Sequence, residues 1–217
     1  MADFAARRRI MVDTQIRPSD VTSFPILDAM LNVPREAYVP DAARDLAYLG
    51  GPIPLGGGRQ LMEPRSIAKM LEALDVTPDE MVLEIGPGLG YTTALLARMA
   101  EAVVAVEEDD GLARDAEATL SEQSVDNAAV LTGPLVEGSA RNGPYDAIVI
   151  FGGVEEMPPA LIEQLREGGR IVAVFMSGPL GEVRLGRKVQ GHVSWRMEFN
   201  ATAPVLPGFE RAPSFEF

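Results

Sequence analysis

Three glycines and two acids hold the most chemistry in this chain. In Val82-Leu83-Glu84-Ile85-Gly86-Pro87-Gly88-Leu89-Gly90-Tyr91 an apolar run ends in a glycine-rich turn. Glycine suits such a turn because the backbone must bend sharply and approach a ligand with no Cβ in between. About 20 residues further on, the apolar run Ala102 to Val106 ends in Glu107, whose carboxylate could accept hydrogen bonds from ribose hydroxyls. Together these residues predict a nucleoside bound at the carboxyl ends of two neighbouring strands. The next acids, Glu108, Asp109 and Asp110, read as the cap and solvent-facing start of a helix.

The glycine spacing discriminates between cofactors. Dinucleotide sites favour Gly-x-Gly-x-x-Gly, whereas Gly86, Gly88 and Gly90 follow Gly-x-Gly-x-Gly and are preceded by the acid Glu84. A cofactor without a pyrophosphate fits better. S-adenosyl-L-methionine is therefore expected and NAD disfavoured, with Glu84 meeting the methionine end and Tyr91, next to the turn, a candidate neighbour. A metal site is not expected, since the chain has no cysteine and the single histidine His192. His192 and Trp195 read as hairpin and sheet-packing residues, and Asp146, early in its strand, as structural.

The positioning elements follow from periodicity. Glu63 to Leu74 places Ile67, Met70, Leu71 and Leu74 on one helical face, with Pro64 in the first turn. Apolar runs at Met81–Ile85, Ala102–Val106, Ala129–Leu131, Tyr145–Phe151 and Arg170–Phe175 alternate with helix-like segments reaching to about Met99, over Leu112–Glu122 and over Pro159–Arg166. Such runs, without polar alternation, predict a parallel sheet covered on both faces. The fold class is thus α/β, a Rossmann-like doubly wound sheet. Glu182–Val189 and Val193–Phe199 read as an antiparallel addition at one edge, and the Pro-rich tail from Ala203 to Phe217 as extended and packed across the surface. Residues 1–62 form an N-terminal extension with helices near Ala6–Gln15 and Phe24–Leu31, and 63–217 the main domain, one structural unit overall. Within the extension, Gly50 to Gly58 reads as loop.

Composition limits the partners. The formal net charge of -13 repels phosphate backbones and anionic membranes, so neither nucleic acid nor membrane is an expected partner. With no signal-like apolar segment and no cysteine, a cytoplasmic setting is expected.

The chain resembles the protein-L-isoaspartate O-methyltransferase family. The supporting segments are Met11 to Pro18, Leu27 to Pro40 with its Val-Pro-Arg and Val-Pro pairs, Ala47-Tyr48, Val82 to Leu96, Tyr145 to Val149 and Leu161 to Arg170. The resemblance implies a seven-stranded methyltransferase fold and methyl transfer from S-adenosyl-L-methionine to a protein or peptide carboxylate, the free carboxylate of an isoaspartyl residue. It also implies that Gly86, Gly88, Gly90 and Glu107 hold the cofactor. Two positions depart from the family pattern. Gly58 to Pro64 reads Gly-Arg-Gln-Leu-Met-Glu-Pro where the family has a Gly-Gln-Thr-Ile-Ser-Gln-Pro-like loop, so Gln60 replaces the threonine and Met62 the serine. A lost hydrogen bond to a charged acceptor costs about 1.5 to 3 kcal/mol, unless Arg59 or Gln60 donates instead. After the third sheet strand a family-like Gly-Asp becomes Gly133-Pro134, which would leave adenine recognition to the backbone at Gly133 and Leu135. These departures keep open the alternative of a cofactor-binding regulatory or non-repair homologue.

Overall fold

A computed structural model describes residues 3–212 of the chain. In chain order its helices and strands are α1 (Phe4–Met11), α2 (Phe24–Asn32), β1 (Ile53–Gly56), β2 (Arg59–Leu61), α3 (Pro64–Leu74), β3 (Met81–Ile85), α4 (Tyr91–Ala97), β4 (Ala102–Glu107), α5 (Asp110–Glu122) and β5 (Ala128–Thr132). These are followed by β6 (Tyr145–Val154), α6 (Pro159–Glu163), β7 (Leu165–Ser177), β8 (Leu180–Val189) and β9 (His192–Asn200).

Seven strands form one sheet in the order β5-β4-β3-β6-β7-β8-β9. The β3–β4, β3–β6, β4–β5 and β6–β7 pairs are parallel, and β8 and β9 add antiparallel. Alternate residues of each parallel strand enter different cores. Val82, Val103, Val149 and Val172 pack with α3, α4 and the N-terminal segment, while Leu83, Val104, Ile148 and Ile171 pack on the other face. Both faces are covered, which is why these strands lack polar alternation. The chain order reverses beside β3, between β4 and β6. Ligands of such sheets bind at that reversal, beyond the carboxyl ends of the strands.

The N-terminal extension shares the first core. Met11, Val12, Ile16, Ile26, Met30 and Tyr38 are buried there beside Ile67, Met70, Leu71 and Leu74, the face expected of α3. The helix expected at Ala6–Gln15 is present as α1 followed by a wide π turn over Val12–Ile16.

Two expectations need correction. The Gly50–Gly58 segment is not simply loop, because it supplies β1 and the turn of a separate two-stranded hairpin with β2. Gly57 and Gly58 turn the chain with φ of 55° and 77°, and Pro54 is tolerated because a two-stranded ribbon has only edges. The helix expected at Pro159–Arg166 stops at Glu163, and β7 starts at Leu165 rather than Arg170. Leu165 pairs with Tyr145, the register then shifts, and Gly168 with φ 80° lies inside that irregular stretch.

The tail packs through Ala203, Leu206 and Phe209, all buried, and its backbone bonds to Gly153. The part of the extended-tail expectation on 213–217 lies outside the described residues. Among the described residues no helix is long and apolar enough to cross a membrane.

Candidate active site

The turn after β3 and the end of β4 meet as the sequence predicts. Gly86, Gly88 and Gly90 have φ of 72°, 59° and 89°, conformations that side chains other than glycine rarely adopt. Glu107 is completely buried. Its Oε2 accepts from the Gly88 amide at 3.0 Å, and its Oε1 from the amides of Glu108 at 2.9 Å and Asp109 at 3.2 Å. The Gly133 amide donates to the Glu107 carbonyl at 3.0 Å, which brings the end of β5 to the same place. Leu135 lies just beyond, its side chain fully buried in the second core. Of the neighbouring acids, Glu108 and Asp110 are exposed, and Asp109 caps α5 through the amides of Gly111 and Leu112.

Arg59, a candidate donor to the acceptor carboxylate on the sequence, is engaged with Glu107 instead. Its guanidinium forms a bidentate pair with Glu107, Nη1 to Oε1 at 2.6 Å and Nη2 to Oε2 at 3.0 Å, and the residue is 9 % exposed. A Cβ on Gly86 would lie 2.7 Å from Arg59 Nη2, and one on Gly88 2.5 Å from Leu55 Cδ1. The cradle that the glycines leave open therefore holds side chains from the β1–β2 hairpin. On the β6 side, Leu206 Cγ lies 2.5 Å from where a Cβ of Gly152 would stand. Leu55 and Leu206 were not identifiable from the sequence, since a lone leucine near glycines is no signal.

Glu84 and Tyr91 point to other partners. The Glu84 carboxylate, completely buried, accepts from the hydroxyls of Thr92 and Thr93 on α4, the latter at 2.6 Å. Burial pushes its carboxyl up to about 7, against the lowering effect of the two hydroxyl bonds, and the charge of Glu107 adds to the rise. A folded value above the unfolded one means the native state binds this proton more tightly. The stabilisation is then full below about pH 4 and is lost as pH rises through 7. The difference is worth about 3 kcal/mol. Replacing Glu84 with Gln is expected to remove that loss, so the variant should gain on the wild type between pH 5 and 8 in urea unfolding. A constant offset between the two across that range would refute a neutral buried acid.

The Tyr91 ring packs edge-on against Tyr38, centroids 6.0 Å apart, and beneath the Arg35 guanidinium, 4.9 Å from its Cζ. Burial raises the pKa of the Tyr91 phenol and keeps it protonated. Arg35 is the arginine of the Val-Pro-Arg segment. It is fully buried, with Nε donating to Ala47 O at 2.9 Å and Nη2 to Met62 O at 2.7 Å, so it ties the N-terminal segment to the loop that follows β2. Nothing local in the sequence reveals this tie, which spans 27 residues.

Gln60 and Met62 line an open cleft of about 860 Å³ with Glu63, Arg65, Leu180 and Thr202. Gln60 faces this cleft while its neighbours Arg59 and Leu61 face inward, as alternation along β2 requires. Away from the cleft, Asp146 accepts from the Met81 amide at 2.8 Å and pairs with Arg166, and Trp195 stacks edge-on with Phe175, so both are structural. His192 begins β9 and is exposed.

The chain as a whole has relatives among known proteins. Residues 6–196 match the model of the protein-L-isoaspartate(D-aspartate) O-methyltransferase family. A Syntrophus aciditrophicus protein-L-isoaspartate O-methyltransferase is 41 % identical over 172 residues, 79 % of each chain. One from Koribacter versatilis is 37 % identical over 193 residues, 89 % of this chain and 87 % of that one. In architecture, a Plasmodium falciparum chain described as a protein-L-isoaspartate O-methyltransferase in complex with S-adenosyl-L-homocysteine superposes with a TM-score of 0.80. It covers 95 % of this chain and 99 % of its own at 18 % identity, a likeness of fold alone.

Proposed function

The chain belongs to the protein-L-isoaspartate(D-aspartate) O-methyltransferase family, and on that premise we propose that it methylates the free carboxylate of isoaspartyl residues in proteins or peptides, using S-adenosyl-L-methionine. The observation that carries the reading is the buried Glu107 carboxylate, set by three backbone amides beside a turn whose glycines put no side chain of their own over the backbone. The residues suit the cofactor chemically: a fixed acid for ribose hydroxyls, close backbone at Gly86 and Gly88, and the main chain at Leu135 for a base.

Bound there, the cofactor supplies a methyl group activated by a positively charged sulfonium. The protein's task is then to place a nucleophile in line with it. An acceptor carboxylate has an ordinary pKa near 4 and is ionised at pH 7, so no general base is required and alignment supplies most of the acceleration. The cleft beside Met62 offers the room. Gln60, whose amide can donate, and Arg65, whose guanidinium pairs with Glu63 at 3.3 Å, line it beside Glu182, so Gln60 is the neutral donor offered to an acceptor, while buried Met62 contributes an apolar wall. Glu84, engaged by two threonine hydroxyls, stays behind the cofactor turn as a support of α4. The regulatory alternative gains no support from relatives named for isoaspartate methylation.

Incubation with methyl-labelled S-adenosyl-L-methionine and paired peptides differing only in isoaspartyl or aspartyl linkage should label the isoaspartyl peptide, with a base-labile ester as product. Equal labelling of the two peptides, or none with cofactor bound, would refute this acceptor.

A further inference from the structure

We infer that Arg59 is a tethered occupant of the nucleoside site, competing with the cofactor for Glu107, so that cofactor entry requires the β1–β2 hairpin to withdraw. This rests on the reading above that the glycine turn and Glu107 bind an adenosyl cofactor.

Three observations converge. First, Glu107 has no acceptor capacity left. Its Oε1 receives Arg59 and two amides, its Oε2 receives Arg59 and the Gly88 amide, and a carboxylate offers about four lone-pair directions. Ribose hydroxyls can bond there only if the guanidinium leaves. Second, the space is taken. Arg59 Nη2 and Leu55 Cδ1 stand 2.7 and 2.5 Å from the positions that Cβ atoms on Gly86 and Gly88 would occupy, so the backbone that a ligand must approach is covered. Third, the covering element is joined to no other strand. β1 and β2 pair only with each other and their turn glycines 56–58 are exposed, while Ile53 and Leu61 at the base are held in the first core, so the tip that carries Leu55 and Arg59 is the part free to lift. The seven-stranded sheet can stay in place while the ribbon moves.

The exchange is balanced in chemistry. On withdrawal Arg59 regains water, and Glu107 keeps its three amide donors and accepts neutral hydroxyls in place of the cation. Apparent affinity is then the intrinsic affinity reduced by the fraction of molecules with the hairpin open. Arg59 and Gln60 are adjacent on β2, so a hairpin that vacates the nucleoside site also rearranges the wall of the acceptor cleft. Cofactor binding and the shape of the acceptor site are thereby coupled through one strand.

The test is calorimetric titration of wild type, Arg59→Ala and Arg59→Gln with S-adenosyl-L-homocysteine, a thioether whose uncharged sulfur removes direct repulsion with the guanidinium. Both variants are expected to bind at least tenfold more tightly. Equal or weaker binding by a variant that is folded by circular dichroism overturns the inference while leaving the cofactor reading intact. Failure of all three proteins to bind at millimolar ligand overturns both. A second measurement uses wild type alone: hydrogen exchange at 53–61 should quicken on saturation while the amides at 86–90 slow. Unchanged or increased protection of 53–61 also overturns the inference.

Discussion

Replacing Glu107 with Ala should weaken S-adenosyl-L-homocysteine binding by more than a hundredfold and lower stability at the same time. The carboxylate joins five hydrogen bonds in a fully buried position. Its loss leaves the amides of Gly88, Glu108 and Asp109 without their acceptor and Arg59 without its counter-charge. Breaking a buried pair by removing one partner costs about 3 to 5 kcal/mol. The hairpin offers relief by carrying Arg59 to water, so the lower end of that range is expected. In a chain of this size that corresponds to a fall in Tm of roughly 6 to 12 °C. The Arg59→Ala, Glu107→Ala double variant should recover part of the stability but none of the binding, and the cycle isolates the pair from the amide contacts. Retention of ligand affinity by Glu107→Ala would remove the basis for assigning the nucleoside to this carboxylate.

Replacing Arg35 with Ala is expected to have the next largest effect, on the acceptor side rather than the cofactor side. The guanidinium holds two carbonyls that lie far apart in sequence, Ala47 O and Met62 O, and a buried acceptor left without a partner costs about 1 to 3 kcal/mol. The emptied volume beside Tyr91 adds a cavity cost. Relief of a buried cation offsets part of this: burial lowers the Arg35 pKa, and its Nη1 has no hydrogen-bond partner. A net loss on the order of 3 kcal/mol is expected. With the Met62 carbonyl released, transfer to an isoaspartyl peptide should fall at least tenfold while cofactor affinity changes by less than threefold. Lysine should rescue only in part, because one point donor must reach both carbonyls where the guanidinium reaches them from two separate nitrogens of a planar fork. A cofactor affinity that fell in step with activity would place Arg35 in the nucleoside site instead.

Much of the fold was legible because it rests on short-range patterns. Unbroken apolar runs such as Ala102–Val106 and Ile148–Phe151 require burial on both faces, and that requirement by itself selects a covered parallel sheet. The glycine turn and Glu107 were legible for a similar reason: strand, turn and acid lie in one local unit whose geometry follows from chain order. The hairpin at 53–61 was harder to read, since glycine and proline forbid regular interior structure but not a two-stranded ribbon.

What the sequence determined by itself was therefore the architecture, the meeting of the glycine turn with Glu107 at the carboxyl ends of β3 and β4, and the residue types waiting there. Tertiary structure alone decided who occupies that end. Arg59 and Glu107 are 48 positions apart, and Arg35 and Met62 are 27 apart; no periodicity links either pair. They meet because the sheet and the N-terminal segment share one core, and because a buried charge or carbonyl must find whatever partner folding brings within about 3 Å.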